Sequence, residues 1–334
     1  MKPFFFFASL LCLLAFSCTK EDGLGGENCP PIYSSCDTSL FTRLSTIDTC
    51  WMLPEFGASY VFIALKPSIV PVGKSPANAH LFIYQRYLSG RDSELWVIDT
   101  CENTRNILAP ALEGPPKANN QDWVLFKDAN DFKLYKVKTN GDSLSLVSEK
   151  ITHYYFDWCM DGEYFVTKDL WKDTTFLYSK TGAILDTFLL DYRTLAARGD
   201  QLAVSIGEHS DTLAILNLQN KELTKVFSVP PGLGNVSYHP LKQLEWQGPS
   251  HVIWVNPSGI FRIDISNGTM AQLKESCDNA AYTVPVITED GQPWMFLGRI
   301  DRNYPQTPGV VKSITSFIAF NTNTGEEWVI DIEP

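Results

Sequence analysis

The sequence predicts an all-β chain made of one antiparallel unit repeated around a ring. Two observations predict this. Short β-branched and aromatic runs, broken by Gly, Asn, Asp and Pro turns, dominate from about residue 30 onward, and long helical periodicity is absent. Six of these runs also recur in register: Leu95-Trp96-Val97-Ile98-Asp99, Leu134-Tyr135-Lys136-Val137-Lys138, Phe176-Leu177-Tyr178-Ser179-Lys180, Leu213-Ala214-Ile215-Leu216-Asn217, Ile260-Phe261-Arg262-Ile263-Asp264 and Phe317-Ile318-Ala319-Phe320-Asn321. Their last residues lie 39, 42, 37, 47 and 57 positions apart, which is a propeller-like period.

Each run enters a polar turn, such as Thr139-Asn140-Gly141-Asp142 or Ser266-Asn267-Gly268, and a further short strand follows. A second set of strands precedes the first: 80–86, 122–127, 163–168, 201–206, 251–256 and 294–299. A third set, less regular, precedes those, as in 154–158, 241–246 and 282–288. The unit is therefore three or four strands. A four-stranded sheet cannot cover its own two apolar faces, but radial stacking buries both and leaves only short edges. The expected fold is a six-bladed β-propeller of four-stranded antiparallel blades. A pair of β-sandwiches is the competing fold, and it does not predict six similar hairpins.

The N-terminus predicts export. Lys2 is the only charge before an apolar run from Phe4 to Phe16, too short for the roughly 20 residues of a membrane span. Ala15-Phe16-Ser17-Cys18 follows and resembles the lipobox of bacterial lipoproteins, with Ala where Leu is commoner. The resemblance implies cleavage before Cys18 and acylation of that residue; an ordinary cleaved signal with a chance Cys is the alternative. Each buried CH2 of an acyl chain contributes roughly 0.8 kcal/mol, so several chains hold a protein on a membrane without a spanning segment. Lys20-Glu21-Asp22 resembles the export signal that carries lipoproteins of Bacteroidetes-type bacteria to the outer cell surface. A solvated charge cluster at the start of a linker is the alternative, and it leaves the chain facing the periplasm. The expected organisation is a signal peptide at 1–17, a flexible Gly- and Glu-rich tether at 18–28, a Cys-bearing segment at 29–57 and the propeller at 58–334.

A hydrophobic content of 44% with 19% charged residues describes a chain that forms a core. The net charge of −11 argues against nucleic acid and anionic lipid as partners. Apart from Cys12 and Cys18, the cysteines are Cys29, Cys36, Cys50, Cys101, Cys159 and Cys277, an even set suited to an oxidising compartment. Cys29 and Cys36 are close and flank Pro-Pro, which favours that pair and leaves Cys50 with Cys101 and Cys159 with Cys277. Free buried thiols, Cys159 above all, are the alternative. No C-x2-C pair suggests zinc.

Phe156-Asp157-Trp158-Cys159-Met160-Asp161-Gly162-Glu163-Tyr164-Phe165-Val166 resembles the Trp-Ser-Pro-Asp-Gly-Lys-Tyr repeat of TolB-like propellers, with Cys159-Met160 in place of Ser-Pro. Glu289-Asp290-Gly291 is a weaker echo. The resemblance implies the propeller architecture over about residues 55 to 334 and a habit of binding other molecules at its face. It carries no catalytic residue onto this chain.

A search for chemistry returns little. Gly141-Asp142-Ser143-Leu144 spells a serine-esterase signature, but it falls in a hairpin turn, where Asn-Gly-Asp is favoured for backbone reasons alone. The five His residues, His80, His153, His209, His239 and His251, do not pair at ligand spacing. Asp128, Asn130 and Asp131 lack the length and Gly of a calcium loop. With 38 Asp and Glu, some pair always qualifies as a glycosidase dyad, so the count selects none. Trp, Tyr and Phe number 9, 13 and 20 and are expected between blades more than on a sugar-stacking platform. The expected function is non-enzymatic binding of a protein or glycan at a propeller face, without cofactor or metal. An envelope hydrolase or lyase acting on polysaccharide or peptide is the alternative, and a scaffold subunit of an envelope complex a third.

Overall fold

The computed structural model describes residues 41–44, 61–64, 66–75, 81–89, 92–102, 104–150, 153–159, 162–169, 172–190, 192, 194–206, 212–228, 243–256, 258–277, 279–287, 292–302 and 310–332. Two short strands come first, β1 (Phe41–Arg43) and β2 (Val61–Ala64). Blade one holds β3 (Ser68–Lys74), β4 (Leu81–Ser89), β5 (Asp92–Asp99) and β6 (Thr104–Ala109). Blade two holds β7 (Lys117–Ala118), β8 (Trp123–Lys127), β9 (Leu134–Lys138) and β10 (Ser145–Ser148). Blade three holds β11 (His153–Cys159), β12 (Tyr164–Asp169), β13 (Thr174–Ser179) and β14 (Ile184–Leu189). Blade four holds β15 (Thr194–Arg198), β16 (Gln201–Ile206), β17 (Thr212–Asn217) and β18 (Leu223–Ser228). Blade five holds β19 (Gln243–Gln247), β20 (His251–Asn256), β21 (Gly259–Asp264) and β22 (Met270–Glu275). Blade six holds β23 (Ala280–Val286), β24 (Trp294–Arg302), β25 (Val310–Asn321) and β26 (Glu327–Ile330).

Within each blade the four strands pair in sequence order and antiparallel, so the chain is a six-bladed β-propeller. The first strand of each blade lines the axis, where β7, β11, β15 and β19 meet their neighbours, as do β23 and β3. The two central strands of a blade are apolar at successive positions because both faces are covered. In β20, Val252 and Trp254 pack towards blade four, while Ile253 and Val255 pack towards blade six. One buried cluster fills each of the six junctions. Leu125, Leu134 and Val147 meet Phe156, Trp158 and Phe165 between blades two and three, for example. Trp158, Trp246, Trp254 and Trp294 are all buried in such junctions, the place expected for the aromatics.

The turns explain the regular spacing of the third strands. Asp99, Asn217, Asp264 and Asn321 each end one, and each side chain accepts the N–H two residues on. Gly182, in the matching turn of blade three, has φ +93°, and a Cβ there would lie 2.3 Å from the Val147 carbonyl of blade two. Near the axis, a Cβ on Gly73 of β3 would lie 2.5 Å from the Cβ of Ala118 on β7. Gly141-Asp142-Ser143-Leu144 is the β9–β10 turn, with the Asn140 carboxamide oxygen accepting the Asp142 N–H. Asp128 and Asp131 likewise cap their own loop, accepting the N–H groups of Asn130 and Lys133.

The ring closes on blade six. β1 adds antiparallel to the outer edge of β26, and β2 pairs parallel with Val310–Ser313 of β25. Three residues of the Cys-bearing segment are thus part of the last blade. Ile69, Phe82, Tyr84 and Ile98 of blade one pack against Trp294, Phe296, Phe317 and Ile330 of blade six. A buried polar network braces the same sheet. The Glu327 carboxylate accepts the Tyr282 hydroxyl at 2.8 Å, pairs with Lys274 of blade five at 2.8 Å and is bonded by the Arg299 guanidinium, whose other nitrogens hold Asp301 at 2.9 Å. The backbone carbonyl of Glu327 accepts the Leu44 N–H at 2.9 Å, which ties the network to the end of β1. Glu327→Ala leaves the buried Arg299 guanidinium with Asp301 alone and is expected to lower the unfolding free energy by about 3 kcal/mol. Tyr282→Phe removes one hydrogen bond to a charge and is expected to cost about 1.5 kcal/mol. Urea unfolding of the two variants measures both.

Candidate functional site at the propeller axis

Three charged side chains from three blades meet at the axis. Lys117 comes from the two-residue strand β7, Asp157 from β11 and Glu245 from β19. The Lys117 ammonium lies 3.7 Å from the Asp157 carboxylate and 3.6 Å from that of Glu245. Blades two and three are neighbours, but blade five adjoins neither, so Glu245 reaches Lys117 only across the axis. Strand alternation aims them there. Trp158 and Trp246 follow the two acids and point instead into the blade junctions. Their indole N–H groups donate to the carbonyls of Lys117 and Ala196, each at 3.0 Å. An acid–tryptophan pair on an innermost strand thus occurs twice, with the acid on the axis and the indole latched to the preceding blade.

The two acids are not equivalent. Asp157 also accepts the Trp158 N–H at 2.8 Å and the Ala197 N–H of blade four at 3.0 Å. Burial raises its pKa against the opposing pull of Lys117 and those N–H groups. The Glu245 carboxyl is pushed up to about 7, first by burial and further by the charge of Asp157, with Lys117 opposing. Burial also works against the Lys117 charge, but the two carboxylates outweigh it and leave its pKa raised. One ammonium between two carboxylates leaves one surplus negative charge, and a proton on Glu245 removes it. As arranged, the cluster is a closed ion triad at the axis. It contains the parts of an acid–base pair, but their open side is filled by Lys117.

Sequence reasoning missed this site. Asp157 lay within the quoted TolB-like segment and Trp246 closed a predicted strand, so the repeated acid–tryptophan dipeptide was the available signal. Lys117 had none, because it follows Pro115-Pro116 in a strand of two residues. The residues singled out from the sequence are not drawn together here. Cys18, Cys29, Cys36 and Cys50 lie outside the described residues, as do His80, His209 and His239. His251 opens β20, its Nδ1 3.0 Å from the Ser250 hydroxyl. The expected Cys159–Cys277 disulfide is corrected: Cys159 is a free thiol, sealed in the junction of blades three and four. Burial, together with the charge of Asp157, raises its pKa and keeps it protonated. Cys277 belongs to the approach to β23 and is disulfide-bonded, as is Cys101. Among the described residues no group of three or more His, Cys, Asp or Glu is placed to hold a metal ion.

The raised pKa of Glu245 sets a pH dependence. A carboxyl whose pKa is higher in the folded state than its ordinary 4.5 stabilises the fold below about pH 4.5, and that contribution is lost as pH rises through about 7. Between these limits the native chain is expected to lose stability relative to Glu245→Gln. Melting temperatures of the two proteins across pH 4 to 8, taken as a difference, measure it, and a constant difference would remove Glu245 as the source.

No protein-family model and no curated protein matches this chain. Solved structures similar to it include a nidogen/laminin complex, at 10% identity and a TM-score of 0.45 over 61% of this chain and 78% of that one. Hydrazine synthase of Kuenenia stuttgartiensis gives 10% and 0.45 over 61% of each chain. The RRP9 WD40 repeats give 12% and 0.38 over 57% of this chain and 59% of that one. At such identities and TM-scores these likenesses carry no argument, and the fold rests on the strand pairing: this chain is a six-bladed β-propeller.

Proposed function

We propose that this chain is a lipid-anchored lipoprotein of the outer membrane, facing the cell surface, that binds a protein or a glycan at a propeller face without performing chemistry. The observation that supports binding over catalysis is the axial triad. The channel of a propeller is where ligands and reacting groups gather, and here Lys117 already fills the space between the two acids. The sequence of the leader supports the anchor, through Ala15-Phe16-Ser17-Cys18, and Lys20-Glu21-Asp22 supports the surface location. The TolB-like resemblance of the blade-three segment supports binding at a propeller face.

One observation favours a second reading, an envelope hydrolase or lyase. Asp157 and Glu245 both lie within 3.7 Å of one ammonium nitrogen, and Glu245 changes charge near neutrality, as a general acid must. If a ligand draws Lys117 aside, the pair is an acid–base couple.

Cys18→Ala is expected to release the chain from the membrane into the soluble fraction, and retention on the membrane would overturn the anchor. Protease added to intact cells is expected to digest the chain, whereas full protection would place it inside the envelope. A glycan array and an affinity pull-down with the anchored protein separate the partner classes. Turnover of an envelope polysaccharide or peptide that Glu245→Gln abolishes would replace binding by catalysis.

A further inference from the structure

Cys101 and Cys277 are both disulfide-bonded, while Cys159 is a free thiol sealed between blades three and four. The two bonded cysteines cannot be each other's partner. In a blade the third strand runs to one face and turns there into the fourth, which runs back to the opposite face before the chain enters the next blade. Cys101 lies in the turn between β5 and β6, on the first of these faces. Cys277 lies in the link between β22 and β23, on the second. A fourth strand such as β22 has six residues and spans about 20 Å, whereas a disulfide needs its Cα atoms within about 7 Å of each other. The chain has eight cysteines, so both partners are among Cys12, Cys18, Cys29, Cys36 and Cys50.

If Cys12 leaves with a signal peptide and Cys18 carries the lipid, a reading on which this inference rests, three candidates remain for two partners. A Cys29–Cys36 bond is then excluded, because it would leave Cys50 alone to serve both Cys101 and Cys277. The direction of β1 divides the three. It is antiparallel to β26, a fourth strand, so it runs from the Cys277 face to the Cys101 face. Cys29 and Cys36 come twelve and five residues before Phe41, where the chain enters from the Cys277 face. Cys50 comes six residues after Leu44, where the chain leaves towards the Cys101 face. Reach agrees with this division. Phe41 pairs with Ile330, which shares one buried cluster with Ile98 of blade one. Leu44 is three residues beyond Phe41 and Cys101 three beyond Ile98, both towards the same face, and six extended residues span about 20 Å. Cys277 bridges Ala280 at the start of β23, four strand spacings or about 19 Å across the sheet from β1. Five extended residues span about 18 Å and twelve about 40 Å, so the run before Phe41 covers that distance.

We propose that two disulfides clasp the beginning of the chain to opposite faces of the propeller, Cys50 to Cys101 on one and Cys29 or Cys36 to Cys277 on the other. β1 has only three residues and adds to a sheet edge, so a bond before it and a bond after it hold it on β26. Each bond forms as two thiols give two protons and two electrons to the disulfide of an exchanging oxidoreductase, which becomes a dithiol. Of Cys29 and Cys36, the one not joined to Cys277 stays a thiol.

The test is a peptide map of the full-length chain, purified from its own membranes, alkylated without reductant and read by mass spectrometry. Cleavage after Tyr33 separates Cys29 from Cys36. The expected map links Cys50 to Cys101 and Cys277 to Cys29 or Cys36, with Cys159 and the remaining member of that pair as thiols. A bond between Cys29 and Cys36, between Cys101 and Cys277 or between Cys50 and Cys277 overturns the proposal, as do free thiols at 101 and 277. Cys101→Ser combined with Cys277→Ser is expected to speed hydrogen exchange of the Phe41–Arg43 amides at least tenfold, and unchanged exchange would overturn the role of the bonds in holding β1. The mass of the Cys18 peptide is read separately. If it carries no acyl chain while both bonds are found, the anchor falls and the clasp stands; an acylated Cys18 with neither bond gives the reverse.

Discussion

A ring of stacked sheets must join its first blade to its last, and here the joint is built on β26. One residue, Glu327, takes part in both halves of it. Its backbone carbonyl holds Leu44 at the end of β1, and its carboxylate gathers Tyr282, Arg299 and Lys274 from blades five and six. A buried carboxylate is costly unless its lone pairs are filled, and this one is filled by two cations and a hydroxyl. The apolar junction between blades one and six depends on that closure, because Phe82 and Tyr84 have Phe296 and Trp294 to pack on only while the ring is shut. Each remaining junction repeats the same packing, so closure holds every blade between two neighbours.

The axis follows a different logic. The innermost strands converge, and charges that are remote in sequence become immediate neighbours at the axis. Lys117, Asp157 and Glu245 offset one another there, with one negative charge in excess. Burial raises the pKa of both acids, and backbone hydrogen bonds oppose it at Asp157. Asp157 has two backbone N–H groups to stabilise its charge, one of them from blade four, while Glu245 relies more on the shared ammonium. The same triad supports binding, by closing on itself, and keeps an acid–base reading open if Lys117 is displaced. The rim is a third environment. Its strands are pleated edges, and several expose apolar side chains there, Ile107, Leu146, Leu189 and Leu223 among them.

Much of the fold was legible in the sequence, for a physical reason. The second and third strands of each blade are covered on both faces, so they read as continuous apolar runs. The run 201–206 is β16 and 251–256 is β20, residue for residue. The polar turns were legible because Asp and Asn cap their own backbone. The first and fourth strands were harder. β7 has two residues, and β6, β10 and β14 each carry a bulge at the solvent edge, which blurs alternation. The pairing of β1 with β26 had no local signal at all, since it joins residues near opposite ends of the chain.

By itself the sequence determined the all-β class, the six-fold repeat, the turn chemistry and the expectation of a lipidated leader at Cys18. Each of these is written in neighbouring residues, through period, propensity or a short motif. Tertiary structure alone decided the closure of the ring, the meeting of Lys117 with Asp157 and Glu245, the isolation of Cys159 from Cys277 and the covering of β26 by β1. Those features depend on which blades face one another. Strand pairing around a ring brings together residues 88 and 128 positions apart, as it does Asp157 with Glu245 and Lys117 with Glu245, and no local pattern encodes such distances.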